Sequence, residues 1–154
     1  MNGPGSRTSL GLSIVDRLLD DERPSVLAFR DGLRRDIEDL LNTEWRVTGW
    51  SADLTELDSS LLNYGIMSLS TVNLSTEQRR AQVVKEIGDI IRRWEPRLEN
   101  MRVSVLPNID SGDRSLRMRI DAEVTVDSSP EVLVFDTVID PVANSIVLKS
   151  ARSE

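Results

Sequence analysis

The hydrophobic period of the chain changes once, and the change falls at Trp94-Glu95-Pro96-Arg97-Leu98. Upstream, apolar residues recur at three- and four-residue steps; downstream they alternate, so helices and strands are segregated along the sequence. Segregation of this kind predicts an α+β fold, with two to three N-terminal helices packed on one face of a C-terminal, mainly antiparallel sheet of about four strands. Pro96 sharpens the boundary. Its φ is held at about −65°, it has no N–H, and it pushes Glu95 out of the helical region, so the helix ends around Trp94. Glu95 and Arg97 are then presented from a stiff corner, which suits an internal brace or a docking point.

In the helical half, Ser13 is placed to cap a short helix carrying Ile14, Val15, Leu18 and Leu19, closed by Asp20-Asp21-Glu22 and Pro24. From Ser25, the residues Val26, Phe29, Leu33, Ile37, Leu40 and Leu41 form one apolar stripe, with Arg30, Arg34, Arg35, Asp36 and Asp39 opposite. Gly32 within that stripe costs about 1 kcal/mol against alanine, which a close-packed neighbour would justify. The helix is expected to end near Asn42-Thr43. Leu54, Leu57, Leu61 and Leu62 suggest a further short helix before Asn63-Tyr64-Gly65 turns the chain, glycine supplying a left-handed stop. Ser75-Thr76-Glu77-Gln78 has capping-box spacing, and the helix it opens buries Val84, Ile87, Ile91 and Trp94.

In the strand half, Val103 and Val105 alternate with polar neighbours, and Asp110-Ser111-Gly112-Asp113 supplies a turn. Leu116, Met118, Ile120, Ala122, Val124 and Val126 then face one way and charged residues the other, as in a sheet with one wet face. Asp127-Ser128-Ser129-Pro130 reads as the next turn. Val132-Leu133-Val134-Phe135 is apolar on both faces, so that strand is either covered twice or acquires cover on assembly. A short last strand follows at Ile146-Val147-Leu148.

Composition narrows the function. At 154 residues the prior is one domain, spanning 10–149, between a disordered tail at 1–9 and a short tail at 150–154. With neither cysteine nor histidine, the chain lacks thiolate nucleophiles, the usual zinc ligands and the commonest general base. A net charge of −7 opposes sequence-independent binding to nucleic acid. No cofactor is expected. Nor is a signal peptide or membrane insertion, and the expected location is cytoplasmic.

Four segments stand in a telling order: Ile14-Val15-Asp16-Arg17-Leu18, then Arg34 to Thr43, then Ser60-Leu61-Leu62-Asn63-Tyr64-Gly65-Ile66, then Glu95-Pro96-Arg97-Leu98 ahead of the strands. This arrangement resembles the TssE family, small wedge proteins of the type VI secretion baseplate, and through them a phage-tail wedge family once labelled lysozyme-like. The resemblance runs over residues 10–149. Met67-Ser68 stands where the family often has Pro-Asp, and Trp94 where phenylalanine is usual.

The resemblance implies a non-enzymatic scaffold whose partners are other baseplate wedge subunits and contractile sheath proteins, in a baseplate assembled near the inner membrane. Glu95, Pro96, Arg97 and Leu98 are then the contact to the wedge core. The C-terminal strands, with Val132, Val134, Val138, Ile146 and Leu148, are then a platform for sheath strands, since an unpaired strand edge templates an incoming chain. Asp16, Arg17, Leu18, Tyr64 and Gly65 are possible secondary contacts. A plainer account of them is a solvated helix face for Asp16 and Arg17 and a helix stop with a packed ring for Tyr64-Gly65. Trp45 and Trp50 read as packing residues. Arg79-Arg80 and Arg92-Arg93 read as a solvated helix face, able to meet an acidic partner.

The lysozyme label finds little support in the residues. Phage-type lysozymes carry Glu-x8-Asp-x5-Thr; Glu22–Asp31 and Glu44–Asp53 match the first spacing, but the third position is Ile37 in one copy and Ser59 in the other. The catalytic pair also needs a cleft holding its carboxylates about 5–9 Å apart.

Overall fold

The computed structural model describes residues 26–45, 49–108, 112–126 and 129–151. The expected helix at 13–22, and with it Asp16, Arg17 and Leu18, lies outside them. Among the described residues two α-helices precede four strands: α1 is Val26–Leu41, α2 is Glu77–Trp94, β1 is Glu99–Leu106, β2 is Leu116–Val126, β3 is Ser129–Asp140 and β4 is Ser145–Ala151. The strands form one antiparallel sheet in the order β1-β2-β3-β4, each paired with its neighbour in sequence. The predicted α+β layout is the one observed, with the helix count at the low end of the expected range.

The two periods explain the core. Phe29, Leu33, Ile37, Leu40 and Leu41 from α1 meet Val83, Val84, Ile87, Ile90 and Ile91 from α2, and both sets pack on Leu116, Met118, Ile120, Leu133, Phe135 and Ile139 of the sheet. Each such side chain contributes roughly 1.5–3 kcal/mol by leaving water. Helix α1 lies against β4 and α2 against β1. At that second contact, a Cβ on Gly88 would stand 2.7 Å from Val103 Cγ2, so close approach of α2 to β1 depends on this glycine.

Three expectations shift by a short distance. Helix α2 is capped by Thr76, not Ser75: the Thr76 hydroxyl accepts from Arg79 N at 3.3 Å, while Ser75 N donates to the Asn73 side chain. The earlier Asx turn at Asn73 uses Ser75, which moves the cap by one residue. Second, the leucine-rich stretch forms two 3-10 turns, Thr55–Ser59 and Leu61–Asn63, in place of a helix. Third, the chain is already extended at Ser129-Pro130, which pair with Val126 and Thr125. Proline fits there because even-numbered residues of β3 direct their N–H away from β2, and among the described residues β4 pairs from Val134 onward.

β3 is covered once. Leu133, Phe135 and Ile139 are buried under the helices, whereas Val132 is 56% exposed and Val134 and Val138 are half-buried on the outer face. On that face Arg119 and Asp136, directly opposed across β2 and β3, form a two-pronged ion pair at 2.7 and 3.1 Å.

Candidate functional site

Helix α2 ends where proline requires, with Glu95 N donating to Ile91 O at 2.8 Å. The corner beyond it folds inward on one side. Glu95 is only 6% exposed, and its carboxylate accepts from Arg97 Nε at 2.6 Å, from Arg97 Nη2, and from Arg97 N at 3.2 Å. A buried carboxylate this well partnered offsets its desolvation through a planar guanidinium fork. Arg97 Nη2 also donates to Asp36 Oδ2 at 2.6 Å, so the same guanidinium ties the corner to α1. These contacts raise the Arg97 pKa, the hydrogen bond to Glu95 most, and fix its positive charge.

Aromatic packing closes the site. Tyr64 stands edge-on to Trp94, with ring centroids 5.2 Å apart. Burial, and then the charges of Asp39, Asp36 and Glu95, push the Tyr64 hydroxyl above its ordinary pKa. The loop carrying Tyr64 is anchored by a parallel bridge between Glu44 and Ile66, with Ile66 N donating to Thr43 O at 2.8 Å and Trp45 N to Ile66 O at 3.0 Å. Gly65 makes that bridge possible: its φ is +111°, and a Cβ there would fall 2.3 Å from Thr43 O. Its left-handed backbone thus serves a strand-like bridge, not a helix stop. The packed tyrosine ring is present as expected.

Three of the four ordered segments therefore meet in space: Asp36 from the first helix, Tyr64-Gly65 from the loop, and Trp94 to Arg97 from the corner. Pro96 is exposed, Arg97 is partly exposed, and Leu98 is buried at 8% in the core. Sequence reasoning left Asp36 among the solvated residues of α1. Its one distinguishing sign was its place beside Ile37 in the segment Arg34 to Thr43.

The two sheet edges differ in their guards. At β4, the Asn42 side chain acts as a short strand, donating to Ile146 O and accepting from Ile146 N, both at 2.9 Å. Ile146 therefore turns its backbone away from β3, and by antiparallel alternation Leu148 and Ser150 do the same. The side chains of Ile146 and Leu148 are buried and the Ile146 backbone is taken by Asn42, so β4 presents outward the backbone of Leu148 and the exposed Val147. At β1, an extra residue between Glu99 and Arg102 bulges the strand, and Arg92 Nη2 donates to Met101 O at 3.2 Å. Val132, Val134 and Val138 belong to an interior strand and present their side chains on the open sheet face.

Glu44 has surroundings opposite to those of a glycosidase acid. It is exposed, and hydrogen bonds from Asn144 at 2.9 Å and Ser68 at 3.0 Å hold its carboxyl below the usual range. A general acid needs the reverse shift. No cluster of ligating residues suited to a metal ion occurs among the described residues.

Compared with known protein families, residues 27–129 match the model of the baseplate wedge protein gp25 family, well over half of the chain. The chain belongs to that family. It takes in the TssE proteins, and its members are structural parts of a baseplate that assemble with other baseplate subunits. The match spans α1 through β2 and includes every described residue of the Asp36–Tyr64–Arg97 site, while all of β3 after Ser129 and all of β4 follow it. No curated protein and no solved structure matches the chain. Among the described residues, no helix is long and apolar enough to cross a membrane.

Proposed function

We propose that this wedge protein is a non-enzymatic component of a type VI secretion baseplate, working in the cytoplasm close to the inner membrane. It joins wedge subunits through the Glu95–Leu98 corner and starts the contractile sheath by strand pairing at its C-terminal edge. The observation that carries the first part is the convergence of Asp36, Tyr64, Trp94, Glu95 and Arg97 within the matched span. A guanidinium fixed by two carboxylates has little conformational entropy left to lose, so it suits an interface. Glu95 binds it from inside, while Pro96 is exposed and Arg97 is partly exposed beside it. The corner is thus a brace and a docking point at once.

Support for the second part is geometric. Beyond Asn42's grip on Ile146, β4 continues with outward backbone groups at Leu148 and Ser150, and strand addition needs such groups and no catalytic residue. Ser150→Pro removes one outward N–H while sparing the ladder to β3. Thermal melting of this variant is expected to match wild type while sheath polymerisation in its presence falls sharply. Undiminished polymerisation on a folded variant would refute pairing at this edge.

A further inference from the structure

We propose that residues 53–62 form a second docking surface, built to receive a cationic amphipathic helix of a partner protein. Three leucines in nine residues face solvent there: Leu54 at 51%, Leu61 at 83% and Leu62 at 51%. Isolated exposed leucines are ordinary, but a concentration of them within one short segment marks an interaction site. Nor is the segment loose. Successive backbone bonds organise it: Leu57 N to Leu54 O at 3.0 Å, Ser60 N to Leu57 O at 3.2 Å, Asn63 N to Ser60 O at 2.9 Å and Tyr64 N to Leu61 O at 3.2 Å. Side chains reinforce it, with Asn63 Nδ2 donating to Asp58 O at 3.0 Å and Trp50 Nε1 to Asp58 Oδ1 at 3.3 Å. Leucines held this way lose little freedom on binding.

The same bonds determine the kind of partner. With backbone groups engaged in their own turns, the segment offers no strand edge, so a partner must bind through side chains, as an amphipathic helix does with an apolar stripe. Charge sets the sign of that helix. Asp53, Glu56 and Asp58 are exposed among the leucines, and no lysine or arginine occurs from Gly49 through Gln78. A field of one sign favours a partner flanked by Lys and Arg and repels an anionic lipid surface. None of these residues belongs to the Arg97 corner.

The test titrates the isotope-labelled full chain with a short Leu/Lys amphipathic peptide and, separately, with a Leu/Glu counterpart, following backbone amide shifts. Saturable shifts confined to 53–62 and its neighbours are expected with the Leu/Lys peptide alone. Affinity should fall at least about tenfold in Leu61→Ser/Leu62→Ser, as for interface anchors, and stay unchanged in Pro96→Ala. Leu54→Ser, a milder change, should give a smaller loss in the same direction. The proposal is overturned by shifts scattered over other acidic surfaces, by equal binding of the Leu/Glu peptide, or by indifference to the leucine variants. Line broadening at 53–62 that grows with protein concentration in the absence of peptide would assign the patch to a second copy of the chain, and overturn it likewise.

Discussion

The Glu95–Arg97 corner and the 53–62 stretch are joined through Tyr64, yet they use their residues in opposite ways. At the corner, the charges that look like an outward invitation are spent largely on the protein itself: Glu95 is buried, and Arg97 reaches both Glu95 and Asp36. Along 53–62, the leucines that look like core residues face solvent. Residue type alone thus misassigns both regions. What decides is whether a neighbouring element is present to receive the side chain, and α1 receives Arg97 while no described element covers Leu61.

The contrast breaks most visibly under Glu95→Ala. Removing the buried carboxylate takes three hydrogen bonds from Arg97, which keeps Asp36, and about 3 kcal/mol of stability should be lost. Leu61→Ser, at an exposed site, should stay within about 0.5 kcal/mol. Urea denaturation of both variants checks the pair, and equal losses would show that the corner is no brace.

A smaller effect separates steric need from backbone need. Both Gly65 and Gly49 adopt positive φ, but a Cβ at Gly65 meets Thr43 O, whereas nothing lies within 4 Å of one at Gly49. Gly65→Ala should therefore cost about 2 kcal/mol or more, and Gly49→Ala only about 1 kcal/mol of φ strain. Thermal melts showing the same shift for both would mean that the Glu44–Ile66 bridge yields easily.

The smallest effect lies on the open sheet face. A hydrogen bond from Arg119 holds Asp136 below its ordinary pKa, so the pair contributes stability above the unfolded carboxyl value, about 3.9, and loses it as pH falls through the lower folded value. Because both side chains are about a third exposed or more, solvent screening keeps the contribution small. Wild type should be slightly more stable than Arg119→Met at neutral pH, with the gap closing in acid. A gap that widens in acid would reverse the assignment.

The sequence made the architecture legible because its two periods do not overlap: α1, α2 and β2 each carry a long, regular apolar pattern, and each formed where that pattern lies. Short elements were less legible. Leu54 to Leu62 has helical spacing but too few residues to pay for a helix nucleus without a buried face, so it relaxed into 3-10 turns. At the site, Pro96 announced the corner and the order of segments announced the family. The meeting of Asp36 with Arg97, 61 residues apart, was not legible, because it depends on how α1 crosses the end of α2. Neither was Asn42 standing in for a strand beside Ile146, a contact across 104 residues.

In the proposed role, this corner both braces the fold and joins the wedge core. Its most direct test is recovery of wedge subunits by a Glu95→Met/Arg97→Met double variant, with melting recorded alongside. Replacing both Glu95 and Arg97 by apolar residues of similar size leaves no buried charge stranded, and the Asp36 carboxylate that loses Arg97 is partly exposed and can be solvated, so the domain should remain folded. The expected outcome is a folded variant that no longer recovers the wedge subunits. A folded variant that recovers them as well as wild type would contradict it.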